Sequence, residues 1–385
     1  MRIIVVGGGI AGSFTAFFLS QQGADVLVIS EPPTYPSVGL VLSILLASPS
    51  DVELAARSLT IYRSLEDEAG RLVHPFPVYE IFPSRAEIPG ILMDAWRRVG
   101  EKVERLNWSE AGRELGLRLK EDEWVLGGGR DYVVSVKKVV SWLHRQLRVL
   151  RGRARLRRMR GRIEVLYRGN IIRGDSVVIA AGAWNKELLK GLGIDAPLVT
   201  YGARAVLLLG PRILSRISIS DNVLSFYSRP TDKPMLNALG LYLGGNSNVP
   251  GITPRDSWRI GGDYIDRLKQ AIRMRFNASP IHVWGGKGVL EMGLDHFPLA
   301  GCLECDTGLY IIGGLDGYGA TIGPALAEIL ASTIIKGQTS IGLPCHDASR
   351  FSSRRHNMLP DIEWEPFLLY PPPPPTANSR CFNYV

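Results

Sequence analysis

With 385 residues, 45% of them hydrophobic and 21% charged, the chain can bury the cores of two domains, which excludes a disordered, fibrous or disulfide-framed polypeptide. Its four cysteines lack framework spacing and point to a reducing, cytoplasmic compartment, and no apolar run reaches the roughly 20 residues that a membrane span needs. The net charge of +8 owes much to arginines crowded between residues 148 and 162.

Residues 2–6 form a short apolar run that ends in Gly7, Gly8 and Gly9. These glycines fall inside the amino-terminal apolar stretch, which argues against a signal peptide. Residues 11–22 read as a helix closed by Gly23, and 24–29 as a strand, so the first thirty residues form one βαβ unit of a parallel sheet. Helical patterns follow at 53–68, 92–99 and 136–147, with poor periodicity over 101–129. In the basic stretch Arg153, Arg155 and Arg157 alternate as in a strand; without interleaved aromatic residues they read as a solvated strand pair rather than a nucleic-acid surface.

Residues 175–181 are a buried apolar strand ending in small residues. Strand-like pieces at 203–209, 223–227 and 239–243, separated by Pro and Gly turns, indicate a mostly antiparallel second domain. A helix is predicted over 264–275, a strand over 308–312 and a buried helix over 320–335. Beyond Gly337 the chain becomes loop-rich, and the prolines at 371–375 favour extended polyproline II on the surface.

Gly7-Gly8-Gly9-Ile10-Ala11-Gly12 matches G-x-G-x-x-G between a strand and a helix. Gly7 allows the tight turn, Gly9 lets a pyrophosphate approach the backbone and Gly12 lets helix and sheet pack; the helix N-terminus offers N–H groups to the phosphates. Ser30 and Glu31 occupy the place of the acidic residue that binds the adenosine ribose, and the absence of a nearby Arg in the sequence disfavours a 2′-phosphate. The fingerprint does not separate FAD from NAD.

Three further segments bear on that choice. Residues 175–184, with Val177-Val178-Ile179-Ala180-Ala181-Gly182-Ala183-Trp184, resemble the "VVxAAGAW" strand and turn of the D-amino-acid-oxidase family of FAD-dependent oxidoreductases. Trp284-Gly285-Gly286 followed by Asp295 and Pro298 to Gly301 resembles its "WxG…D…PxxG" segment, and residues 308–319 resemble its C-terminal strand, glycine loop and helix. The resemblance implies an α/β fold: a Rossmann-like FAD-binding domain (1–85, 135–200 and 281–345) interleaved with a mixed, mostly antiparallel substrate domain (86–134 and 201–280), then a tail (346–385). It further implies FAD in extended form, its pyrophosphate on Gly7, Gly9, Ile10, Ala11 and Gly12 and its adenosine near Ser30, Glu31, Ala181, Gly182 and Trp184. The flavin is expected between the loop of Val38, Gly39 and Leu40 and a second wall of Gly286, Gly314, Asp316, Gly317, Tyr318, Gly319, Ala320 and Thr321. The helix starting at Ala320 would aim its positive end at the flavin.

Members of that family pass hydride from the substrate α-carbon to flavin N5, and the protein supplies orientation: a cation for the carboxylate and tyrosines over the ring. Many members carry an Arg after the Trp-x-Gly, where this chain has Lys287, a point charge without the bidentate fork; Arg204 and Arg229 compete for the role. Tyr227, before Pro230, and Tyr318, in the place of a frequent His, are the ring-covering candidates. No Cys stands near residues 288–291, so noncovalent flavin is expected. Cys302-x-x-Cys305 has three readings: ordinary thiols, a disulfide or redox pair, or with Cys345 and His346 a metal site; no metal site is expected.

The expected activity is oxidation of a small amine or amino acid, with oxygen, a quinone or a protein as electron acceptor, in a homo-oligomer or complex subunit without nucleic acid. The alternatives are a 2-hydroxyacid or glycerol-3-phosphate type dehydrogenase, which would need a base such as His282 or His296, and a non-catalytic flavin-binding subunit of an electron-transfer complex.

Overall fold

Alternation along the strand Arg2–Val6 decides which core each side chain joins. Ile3 and Val5 pack with Phe14 and Leu19 of the helix Ile10–Gln21 and with Leu326 and Leu330 of the helix Gly323–Ile335, whereas Ile4 and Val6 pack with Leu156, Ile163 and Val165. Both faces of this sheet are therefore covered, as a parallel sheet requires. The computed structural model describes residues 1–32, 38–40, 46, 48–86, 90–246 and 248–351.

The first sheet has the order Leu299–Glu304, Leu309–Gly313, Ser176–Ile179, Arg2–Val6, Asp25–Ser30, Arg148–Arg151, parallel throughout except for the antiparallel Leu299–Glu304 edge. Its helical face carries Ile10–Gln21, Val136–Gln146 and Gly323–Ile335. On the other face lies an antiparallel sheet of Ala154–Met159, Arg162–Tyr167 and Asn170–Ile172. The basic stretch thus forms strands, with Leu156 inward and Arg157 and Arg173 both bonded to the buried Glu164.

The second sheet runs Val249–Pro250, Leu198–Leu209, Leu241–Gly245, Phe226–Arg229, Ser218–Asp221, Val73–Pro83, Glu123–Gly127, Glu104–Leu106, and Ile281–Gly293 lies along the outer side of Leu198–Leu209. Val73–Pro83 and Ile281–Gly293, which the sequence reading grouped with the dinucleotide-binding segments, both belong to this sheet. The helix Gly262–Phe276 covers one of its faces, with Tyr264, Leu268 and Ile272 packed on Val206, Leu208, Ile219, Phe226 and Tyr242. At the end of that helix Arg275, 2% exposed, donates to Asp221 and Glu123 at 2.6 Å each and to the Arg118 carbonyl.

Several expectations need correction. The last helix begins at Gly323 rather than Ala320, because Pro324 is tolerated only in a first turn. The stretch 101–129 holds the helix Trp108–Leu115 between two strands, capped by Asn107. The tail does not begin at the surface: His346 is fully buried and bonded through Nε2 to Asp51 at 2.6 Å, and Asp347 accepts from Ser340 and Ile341. The prolines at 371–375 lie outside the described residues. Cys302 and Cys305 form a disulfide, which selects the second of the three readings of that pair. Among the described residues no helix is long and apolar enough to cross a membrane.

Candidate active site

The parallel strands deliver three backbone turns to one end of the first sheet. At the first, a Cβ on Gly7 (φ +112°) would lie 2.2 Å from the Ala180 carbonyl oxygen and one on Gly12 2.1 Å from the Gly7 carbonyl oxygen, so both positions demand glycine. The helix beginning at Ile10 has Gly9 as its cap, with no capping side chain and no acidic residue in its first turn. Its N–H groups and positive dipole end thus face outward, which is what an anionic diphosphate requires.

His144 braces this turn from behind. Its Nδ1 lies 3.1 Å from the Arg151 guanidinium, which can only donate; Nε2 therefore carries the hydrogen and donates to Ser13 Oγ at 3.0 Å, and that hydroxyl donates to the Gly8 carbonyl at 3.1 Å. Burial, reinforced by Arg151, depresses the proton affinity of His144 and keeps the ring neutral for this arrangement. Beside it, the Ser30 hydroxyl donates to the Glu31 carbonyl, and the Glu31 carboxylate is paired with Arg153 at 2.8 Å. The fold therefore brings an Arg to Glu31 that the local sequence does not show, and the argument from its absence falls.

The second turn, Ala181 and Gly182 (φ +54°), and the third, which starts at Gly314 (φ +65°), are tied together by two side chains. Asn185 accepts from the Ala181 N–H at 2.7 Å and donates to Glu291 at 2.9 Å; the same Glu291 oxygen accepts from the Gly314 N–H at 3.0 Å, and the Glu291 carbonyl accepts from the Asp316 N–H. Burial pushes the Glu291 carboxyl up to about 8, which these donors only partly offset. The third turn also leans on two helices: a Cβ on Gly319 would meet Ile10 of the first helix at 3.4 Å, and the hydroxyl of Tyr62, on the helix Pro49–Ala69, donates to the Ala320 carbonyl.

Facing this third turn is one side of the second sheet. Val206 and Gly244 are directly paired, as are Gly244 and Ser228, and Val206 joins the core under the helix Gly262–Phe276; Tyr227 and Arg229 therefore project from the opposite side. Tyr201 projects there too, and its hydroxyl donates to Asp316 at 2.5 Å. The Arg229 guanidinium lies 5.8 Å from the Tyr227 ring centre, which itself crosses Gly245: a Cβ there would meet the Tyr227 hydroxyl at 2.5 Å. Burial raises Tyr201 well above the usual phenol range, and Asp316, Tyr318 and Tyr227 lie close enough to add to the effect. Asp316, itself raised by burial, occupies φ +43°.

A family model described as FAD dependent oxidoreductase matches residues 2–333. The chain belongs to that family. It is 25% identical over 243 residues to the D-proline dehydrogenase of Pyrobaculum islandicum, a match spanning 53% of this chain and 66% of that protein. It is 22% identical over 384 residues to the monomeric sarcosine oxidase of a Bacillus species, spanning 92% and 95% of the two chains. In fold it superimposes on L-proline dehydrogenase from P. horikoshii with a TM-score of 0.78 at 19% identity, covering 91% of this chain and 97% of that one.

As an FAD-dependent oxidoreductase the chain has a site that fits its cofactor. The Gly7 and Gly12 positions leave no room for side chains, the helix end at Gly9 is uncapped, and three turns converge at one sheet edge. Trp184, 37% exposed, follows the second turn, and Gly286 stands opposite Ala205 on the outer strand. Val38, Gly39 and Leu40 pair with Ser135, Val134 and Val133; their side chains and the flanking residues 33–37 and 41–45 lie outside the described part.

The predicted substrate residues divide between the two faces of the second sheet. Tyr227 and Tyr318 meet around Tyr201. Arg204 and Lys287, a directly paired couple, share the other face: the Arg204 guanidinium lies 4.0 Å from the Tyr264 ring centre, and the Lys287 ammonium donates to the Trp258 carbonyl and lies 5.0 Å from its ring. Sequence reasoning missed Tyr201, Asn185, Glu291 and His144. Glu291 did leave a signal, as a lone acid between Leu290 and Met292, flanked by apolar residues on a strand that also carries the glycines of the Trp-x-Gly segment.

Proposed function

We propose that this FAD-dependent oxidoreductase oxidises a small amine or amino acid, with FAD held noncovalently. The observation that carries the reading is the cluster of Tyr201, Tyr227, Tyr318 and Asp316 where the third glycine turn meets the second sheet. Bound FAD supplies the acceptor for a hydride leaving the substrate α-carbon. The protein's part is placement. Tyr227 and Tyr318 enclose a small substrate and exclude water, and Arg229, on the tyrosine side of the sheet, is better placed than Lys287 or Arg204 to receive a carboxylate. Noncovalent attachment is supported by the cysteine positions, since none falls within residues 284–291 or 314–321. The similarity to a D-proline dehydrogenase and a sarcosine oxidase supports amino acids or N-alkylated amino acids as the substrate class.

A second reading, oxidation of a 2-hydroxy acid, draws on His296, which lies within electrostatic reach of Asp316. The purified protein should be yellow and, mixed anaerobically with D- and L-amino acids, N-methylglycine and 2-hydroxy acids in turn, should bleach with an amino acid or N-methylglycine. Bleaching by 2-hydroxy acids alone would replace the proposal with the second reading, and bleaching by none would favour a flavin-binding subunit.

A further inference from the structure

We propose that Asp316, together with Tyr201, binds the substrate's cationic nitrogen and takes the proton that the ammonium must lose before its carbon is oxidised. The proposal rests on the amine reading above and assigns the nitrogen end of that site.

Asp316 stands in a backbone conformation that L residues rarely adopt, between Leu315 and Gly317 in the third glycine turn. Asp is among the few side chains that tolerate it, but Gly or Asn would do so as well, so conformation alone does not explain a carboxylate. Its surroundings do. One carboxyl oxygen accepts the Tyr201 hydroxyl at 2.5 Å, the backbone N–H is held by the Glu291 carbonyl, and the residue as a whole is half-buried. Among the described residues no Lys or Arg forms an ion pair with Asp316, whereas the exposed Glu31 and Glu187 and the half-buried Glu304 each have an arginine. A carboxylate that accepts an aromatic hydroxyl and has no Lys or Arg partner among the described residues is a site for an organic cation, held by charge and hydrogen bonding.

The groups around the Asp316 carboxyl are Tyr201 from the sheet and His296 from the turn after Gly293, with Tyr227 and Tyr318 close to Tyr201; the Glu291 carboxyl lies behind, bonded to Gly314. Burial strengthens the hold of Asp316 on a proton, which narrows the gap to an alkylammonium. The transfer breaks the substrate N–H bond and forms the Asp316 O–H bond. The bonding pair stays on nitrogen, no group is oxidised or reduced in this step, and the amine is left neutral with its lone pair available to the adjacent carbon. Tyr201 stabilises the carboxylate before the transfer. The substrate class is therefore a primary or secondary alkylamine that arrives protonated, with any carboxylate at the Arg229 end.

The test is equilibrium binding to the FAD-loaded enzyme, followed by perturbation of the flavin absorption band. Pyrrolidine serves as a cation without a carboxylate and acetate as a carboxylate without a cation. Asp316→Asn should weaken pyrrolidine about tenfold or more while changing acetate less than about twofold. Tyr201→Phe keeps the charge but removes the hydroxyl that favours it, so the pH midpoint for pyrrolidine binding should rise by about one unit. Unchanged pyrrolidine binding in Asp316→Asn, or equal losses for both probes, would overturn the proposal. If that variant fails to retain FAD, an unmoved midpoint in Tyr201→Phe would do the same. Should the unsubstituted enzyme ignore all amines and bleach with 2-hydroxy acids, the parent reading fails as well; amine bleaching with pyrrolidine affinity untouched by Asp316→Asn removes this inference alone.

Discussion

The two sheets build their halves of the site by different means. In the parallel sheet the strands Arg2–Val6, Ser176–Ile179 and Leu309–Gly313 end at one edge, and each hands over backbone: Gly7, Ala181 and Gly182, Gly314. In the mixed sheet the strands contribute side chains instead, Tyr201 from within Leu198–Leu209 and Tyr227 and Arg229 from Phe226–Arg229. A backbone site is specified by residues adjacent in sequence, whereas a side-chain site is specified by which face each strand shows, and that depends on pairings between distant segments. On the function proposed above, cofactor binding and substrate choice fall to separate parts of the chain.

This contrast can be broken or sharpened by substitution. Gly12→Val should have the largest effect, because no side chain fits beside the Gly7 carbonyl; the purified protein should carry no flavin absorbance, and a yellow variant would mean that the turn does not hold the cofactor. Arg275→Met strikes the other sheet, leaving Glu123 and Asp221 buried without their cation. Urea unfolding should show a loss of about 3–5 kcal/mol, and an effect under about 1 kcal/mol would show that water reaches the two carboxylates.

Smaller effects bear on the link between the turns. Because burial raises the Glu291 carboxyl from 4.5 to about 8, the folded state holds its proton more tightly than the unfolded chain does. The stability this contributes is fully present below about pH 4.5 and is lost as pH rises through about 8. Glu291→Gln should therefore flatten part of the decline in urea midpoint across that window, with Glu80, which burial also raises to about 8, among the other buried carboxyls that contribute to it. An unaltered slope would place the Glu291 carboxyl in contact with solvent. Arg153→Ala, at an exposed ion pair with Glu31, should cost no more than about 0.5 kcal/mol. A larger loss of FAD affinity than of stability in that variant would draw Arg153 into the adenosine site.

The parallel half was legible in the sequence because its signals are local. Apolar runs closed by glycine marked Arg2–Val6 and the strand before Ala181, and the glycine fingerprint marked the helix. The mixed half was less so. Val73–Pro83 contains three prolines that weaken any strand pattern, and Ile281–Gly293 is interrupted by Gly285, Gly286 and Gly288. Lys287 and Tyr227 were named together as substrate residues, yet alternation sets them on opposite faces, a distinction that required the register of four strands. The bond between Tyr201 and Asp316 spans 115 residues and that between Asn185 and Glu291 spans 106, distances at which no local pattern operates.

Arg275 has a consequence for the order in which the molecule is made. Its two carboxylate partners precede it by 54 and 152 residues, so both emerge from the ribosome well before the cation that neutralises them. Until the helix Gly262–Phe276 has been synthesised, closing the mixed sheet would enclose two like charges in an apolar interior. A nascent chain that ends short of Arg275 is therefore expected to stay open and accessible to proteases, which a series of stalled chains probed by limited digestion would test.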